Sequence, residues 1–338
     1  MRRIESLYAL FIVLLFLAAL VLPLTTKDGI PHVFAGPVEG AASGEALVPS
    51  TPQDFVMPGS QPETLTTPLG DPSRCMGCHA IYGIPPEQSP EQRTWQAWQG
   101  SMMAQAGRDP LFFAALDVAN AGAANAGEFC LRCHMPRGWL AGRSSTPDAS
   151  EMTAEDQEGV QCEVCHRLVD PVPDPANPAR DEQILAALDQ PVVVPGSSQM
   201  IVDPEDFRRG PFNIMADLGL DVDPHLYTGG TTAVSPFHQD SALCGTCHDI
   251  NNPMFTWNEA SQTYVPNELD APADIAEGFP IERTYSEWLL SDFSTPPGIE
   301  LPKFGGNNAL VSTCQDCHMR AITGSGGGLF GNNGFVRD

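Results

Sequence analysis

The sequence predicts a mainly α-helical chain with much irregular loop, and three observations on its 338 residues carry that prediction. All ten cysteines fall into five short motifs of a single form. Thirty-two prolines and 31 glycines interrupt the chain often. Only 17% of residues are charged, and few amphipathic stretches run long enough to make extended helices or strands.

The five motifs are CMGCH (Cys75, Cys78, His79), CLRCH (Cys130, Cys133, His134), CEVCH (Cys162, Cys165, His166), CGTCH (Cys244, Cys247, His248) and CQDCH (Cys314, Cys317, His318). Cys-x-x-Cys-His is the attachment signature of a c-type haem: two thiols bond the porphyrin and the adjacent histidine reaches the iron from the proximal side. Zinc knuckles and disulfides also use paired cysteines, but neither demands a histidine at one fixed offset in every pair. The motifs therefore predict five haem c groups. A porphyrin supplies apolar surface of its own, so a multihaem cytochrome c fold packed around five covalent haems needs little regular secondary structure. Successive motifs begin 55, 32, 82 and 70 residues apart, which excludes a strict short repeat.

Around this unit the chain divides into four parts. Residues 1–6 (MRRIES) form a basic cytoplasmic N-terminus, and 7–24 form one N-terminal transmembrane helix, a retained anchor or uncleaved signal. Cleavage after Val33-Phe34-Ala35 is the alternative. Residues 25–72, with seven prolines between Gly36 and Pro72, read as an extended tether. Residues 73–338 are the pentahaem domain, placed on the periplasmic, extracytoplasmic side of the cytoplasmic membrane. Within it, Ala119–Gly127 reads as the end of a helix starting near Pro110, small enough to let a porphyrin approach. The gap from His166 to Cys244 reads as a surface excursion or subdomain.

A formal net charge of −25 excludes nucleic acid as a partner and favours basic redox proteins. Nearly all cations are arginines. Arg132, Arg137, Arg167 and Arg320 lie in or near motifs, where forked guanidinium groups suit haem propionates.

Five irons need five distal ligands, yet only His32, His225 and His238 remain after the proximal histidines. At least two irons must therefore take methionine, water, another group, or a ligand from a neighbouring chain. Met76, Met135 and Met319 adjoin their own motifs and read as packing. Met57, Met102, Met103, Met152, Met200, Met215 and Met254 remain as candidates. If Thr94 to Gln105 (TWQAWQGSMMAQ) is one helix, Trp95, Trp98 and Met102 share a core face and Met103 is left for an iron.

Trp98-Gln99-Gly100-Ser101-Met102-Met103 resembles the Trp-x-x-Ser-x-His element of the cytochrome c-554-like bacterial multihaem cytochromes. GVQCEVCHR (Gly159 to Arg167) and FHQDSALCGTCHD (Phe237 to Asp249) are similar to motifs of the same proteins. The resemblance implies a distal-ligand role for Met103, in the histidine's place, and for His238. His225, in DPHLYTGG, is the third candidate distal ligand. A second Trp-x-x-Ser at Trp288 to Ser291 carries Phe293 at the ligand position, and phenylalanine cannot bind iron.

The expected function is electron transfer through the haems, from a membrane-associated donor such as a quinol-oxidising or other respiratory or photosynthetic complex to a periplasmic or outer acceptor. Two alternatives stay open. One is a multihaem oxidoreductase acting on a small nitrogen or sulfur compound at an open iron. The other is a subunit of an extracellular cytochrome filament.

Overall fold

The computed structural model describes residues 48–81, 89–192, 195–270, 276–303, 308–319, 324–325, 327–328 and 336–337, all within one compact unit, Leu47–Asp338. The expected cytoplasmic segment 1–6, the anchor 7–24, His32 and Arg320 lie outside the described residues. Among those described, no helix is long and apolar enough to cross a membrane.

Short helices dominate. Pro110–Gly122 begins where the sequence signals it: the Asp109 carboxylate accepts from Leu111 N at 2.9 Å, and Pro110 sits in the first turn, where no N–H is needed. Its buried Phe112 and Leu116 meet Leu131 and Met135 of the next helix, Ala126–His134. Asn125 makes the joint in left-handed backbone at φ +70°. Gly127 serves this crossing, because a Cβ there would stand 1.9 Å from the Pro147 carbonyl and 2.8 Å from Leu116. Gly127→Ala is expected to force the helices apart and cost about 1–3 kcal/mol in denaturant unfolding.

Three expectations need correction. Residues 48–72 are no tether: Phe55, Met57 and Leu69 are buried in two separate cores, and Ser60 exchanges hydrogen bonds with Val202. Enough apolar side chains punctuate this proline-rich run to bind it to the body. The stretch after His166 is likewise central. Val169, Met200, Ile201 and Val202 are almost wholly buried, and Val169 N donates to the Ile201 carbonyl at 2.8 Å.

The third correction is strand content. β1 (Phe207–Gly210) and β2 (Thr231–Val234) pair in parallel, Arg209 opposite Ala233. β3 (Ile250–Asn258), β4 (Thr263–Pro266) and β5 (Gly278–Glu282) form an antiparallel sheet with β3 central. Trp257 opposes Tyr264, their rings 5.2 Å apart and edge to face, and Phe279 continues the stack at 4.9 Å. Aromatic and β-branched residues around a short polar turn form a hairpin signal in the sequence, hidden by the expectation of haem-packed loop.

The methionine question resolves largely as core. Met57 and Met254 pack with Phe55 and Phe129, Met152 and Met135 lie in the Phe112 cluster, and Met200 packs in the cluster of Trp139. Met319 is exposed, against expectation.

Candidate haem sites

Each motif begins on, lies within or ends in a helical turn: Ser73–Met76 continuing through Gly77–Ile81, Ala126–His134, Cys162–His166, Ala242–Gly245 and Cys314–His318. Positions i, i+3 and i+4 share one helix face, so two thiols and an imidazole converge on one porphyrin edge and one iron. Thr313 caps the last of these helices, accepting from Asp316 N at 3.2 Å.

Folding brings thiols of different motifs together. Cys75 lies beside Cys162, Cys133 beside Cys247, and Cys244 beside Cys314. Cys165 lies close enough to Cys244 and Cys247 to raise both thiol pKa values through its charge. The five motifs thus lie near one another, with the fourth beside the second and the fifth and near the third.

Two of the distal candidates stand opposite proximal histidines. The His79 and His225 ring centroids are 6.3 Å apart with planes at 24°; those of His166 and His238 are 5.9 Å apart at 12°. Two metal–imidazole bonds of about 2 Å, with about 1.1 Å from each nitrogen to its ring centre, need a separation of about 6 Å. The surrounding groups also suit a metal. Asp223 accepts from His225 Nδ1 at 3.1 Å and is itself anchored by Thr232 N of β2 at 2.6 Å. The Arg209 carbonyl accepts from His166 Nδ1 at 2.7 Å. Such contacts fix ring orientation and leave the other nitrogen to the metal. His238 gives Nε2 to the Cys165 carbonyl at 3.0 Å, and its buried Nδ1 has no hydrogen-bond partner. Burial, then the nearby His166, push the His238 pKa down to about 3. Burial, then Arg208, lower that of His225. Both rings are therefore neutral donors at pH 7, as an iron requires.

His134 has different company: its ring lies flat on Phe112 at 3.9 Å, and its Nδ1 is 3.3 Å from the Ala106 carbonyl. The chain's eight histidines are the five proximal ones, His225, His238 and His32. His134, His248 and His318 therefore face no second imidazole among the described residues.

Met103 sits in the turn Met102–Gln105, and its carbonyl accepts from Val160 N at 2.9 Å, two residues before Cys162. Met102 is not core: it is 74% exposed. The helix Thr94–Gln99 stops at Gly100, and Ser101 starts a new turn in extended backbone, accepting from Ala104 N. That break cancels the phase that had aligned Met102 with Trp95 and Trp98.

Three of the motif arginines bond groups of the protein. Arg132 is fully buried, donates to the Pro58 carbonyl at 2.8 Å and stacks on Trp139 at 4.3 Å. Arg137 binds the Leu69 carbonyl and Asp156. Arg167 binds the Thr67 and Asp203 carbonyls. Each ties a motif to a loop whose carbonyls would otherwise be buried unpaired.

Sequence reading missed the ion pairs behind the sites. Glu163, inside the third motif, accepts from Arg208 at 3.1 Å and from Gly70 N at 2.9 Å. Arg209, wholly buried, is clamped between Asp181 and Asp203. Asp156 binds Arg137 and Arg143. Burial alone would raise the Asp156 pKa, but the Arg143 hydrogen bond and Thr153 bring it below its ordinary 3.8. A carboxylate held down in the folded state stabilises above its unfolded pKa, and that stability is lost as pH falls through the folded value. The acid limb of the stability profile, below about pH 4, is expected to flatten in Asp156→Asn, as read by thermal unfolding against pH.

Residues 74–167 match the family described as cytochrome c554 and c-prime. No curated protein matches the chain. Among solved structures, a penta-haem cytochrome c552 from Thermochromatium tepidum is similar at a TM-score of 0.37 and 20% identity, covering 72% of this chain and 52% of that one. The chain therefore spans about half the length of that structure. The family match contains three of the five Cys-x-x-Cys-His motifs entire, and with the other two of the same form it supports a multihaem c-type cytochrome.

Proposed function

We propose that the chain carries five haem c groups and relays electrons one at a time, with no bond chemistry of its own. The observation that carries this is the meeting of motif thiols, Cys75 with Cys162, Cys133 with Cys247 and Cys244 with Cys314. Each cysteine bonds a porphyrin edge, so touching thiols bring porphyrin edges together in a continuous path. The path runs from the first motif through the third to the fourth, which adjoins the second and the fifth. His79 with His225, and His166 with His238, ligate two irons. Met103 is the candidate for a third, and a neighbouring chain is another source of ligands. Bis-histidine irons beside irons with other ligands span a range of potentials, since methionine raises the potential relative to histidine.

The proposed setting is the extracytoplasmic face of the cytoplasmic membrane, with residues 7–24 as the anchor. The donor is a membrane-bound redox complex and the acceptor a periplasmic or outer protein. A formal charge of −25 suits a basic partner. Intact-mass measurement of the holoprotein is the test, joined to a redox titration followed by near-infrared magnetic circular dichroism. Five haems with two bis-histidine irons are expected. Fewer haems, or five bis-histidine irons in the isolated chain, would overturn the assignment.

One observation favours a second reading. Among the described residues three motif histidines face no second imidazole, which leaves room for an open iron and hence for a reductase or oxidase of a small nitrogen or sulfur compound. Carbon monoxide binding to the reduced protein separates the two: the relay predicts none at saturated irons, the enzyme predicts a bound fraction.

A further inference from the structure

Residues 93–101 read RTWQAWQGS and residues 283–291 read RTYSEWLLS. Arginine, threonine, an aromatic ring, tryptophan and serine recur at identical spacing, and the two segments fold alike. Each is a six-residue helix, Thr94–Gln99 and Thr284–Leu289. Each packs its two rings together, Trp95 on Trp98 at 5.1 Å and Tyr285 on Trp288 at 5.6 Å. Each ends with a serine hydroxyl donating to the tryptophan carbonyl at 2.6 Å, from Ser101 and from Ser291.

The tryptophans then make the same long-range contact. Trp98 Nε1 donates to the Val160 carbonyl at 2.9 Å, two residues before Cys162. Trp288 Nε1 donates to the Ser312 carbonyl at 2.9 Å, two residues before Cys314. The motifs so held are those whose first cysteines meet an earlier motif's first cysteine: Cys162 meets Cys75, and Cys314 meets Cys244. Each helix also packs on that earlier motif, Thr94–Gln99 on the turn Gly77–Ile81 and Thr284–Leu289 on Ala242–Gly245. Tyr285 N fastens the second helix to the His248 carbonyl at 2.8 Å.

We infer that the chain contains the same two-haem unit twice, motifs one and three in the first copy and four and five in the second, and that Trp98 and Trp288 are equivalent positioning residues setting the second haem of each pair against the first. The second motif and the helices around it are then an insertion within the first copy, between Ser101 and Val160. Phe293 in place of Met103 is no defect on this account, because the element's common task is the indole clamp and not ligation. A shared indole bond is specific evidence: an N–H reaching a carbonyl at the same offset from a haem motif in both copies is not required by helix packing alone.

The inference rests on the five-haem reading. Its test uses Trp98→Phe and Trp288→Phe in the full holoprotein, each keeping an apolar ring and losing only the N–H. Haems are counted by mass and located by peptide mapping. Magnetic circular dichroism and electron paramagnetic resonance then follow the two bis-histidine irons of the first pair separately from the other irons. Trp98→Phe is expected to shift the bis-histidine signals and spare the rest; Trp288→Phe is expected to do the reverse. Loss of a haem confined to motif three in the first variant, or to motif five in the second, also supports the inference. Both variants moving the same set of signals, a haem lost elsewhere, or full haem content with no signal moved would overturn it. Fewer than five haems on the parent protein would instead refute the five-haem reading, and with it whichever pair has the bare motif.

Discussion

His238→Ala is expected to abolish one of the two bis-histidine signals while all five haems stay attached. The ring is buried, stands 5.9 Å from His166 and holds an unpartnered Nδ1. Deleting it would leave the iron proposed at His166 with one protein ligand. The site then turns high-spin or takes water, and its potential moves by a sizeable part of the ~0.8 V that axial ligands command. His225→Ala is expected to act on the iron at His79 in the same way. Asp223→Asn is the milder companion, because it loosens the orientation of His225 without removing it, and outer groups of this kind are typically worth about 10–100-fold in metal affinity. Near-infrared magnetic circular dichroism reads all three. An unchanged count of bis-histidine irons in His238→Ala would remove His238 from the ligand set.

The second large effect is one of stability. Arg209→Ala strips the guanidinium that bridges Asp181 and Asp203, leaving two buried carboxylates short of a cation. Breaking a buried pair in this way costs about 3–5 kcal/mol, a large share of the ~5–15 kcal/mol that holds a domain. Arg180 also reaches Asp203, at 2.8 Å, and offsets part of the loss. The damage is expected to reach the haem, because the Arg209 carbonyl on β1 orients His166. Denaturant unfolding of the holoprotein measures the first effect, and the spectrum of the His166 iron the second. Loss of stability with an unaltered spectrum would separate the strand from the site.

The proximal half of each site was legible because covalent attachment tolerates one spacing, so five motifs could be read without knowing the fold. His225 and His238 were legible by subtraction, eight histidines less five. Which motif histidine each stands opposite was not, since His238 lies 72 residues from His166 and His225 lies 146 from His79, and only tertiary structure closes such gaps. Met102 was misread for a local reason. Gly100 and Ser101 end one helix and cap another, and serine at an N-cap was available as a signal. The protein contacts of the arginines were hidden for a global one: carbonyls from residues 57–69 accept from Arg132, Arg137 and Arg167. The small sheet and the buried run 196–203 were overlooked because the haem count had made loop the default expectation.

The thiol contacts across motifs bear on how such a molecule can be made. Cys75 and Cys162 are 87 residues apart in the chain, Cys133 and Cys247 are 114 apart, and Cys244 and Cys314 are 70 apart. A polypeptide that collapsed before receiving its porphyrins would hold six sulfurs in three abutting couples, a short oxidation away from cystine in an oxidising compartment. If each motif takes a porphyrin as proposed, loading them while the chain is still open would avoid that oxidation, and late folding would serve biogenesis as tight packing serves the finished protein.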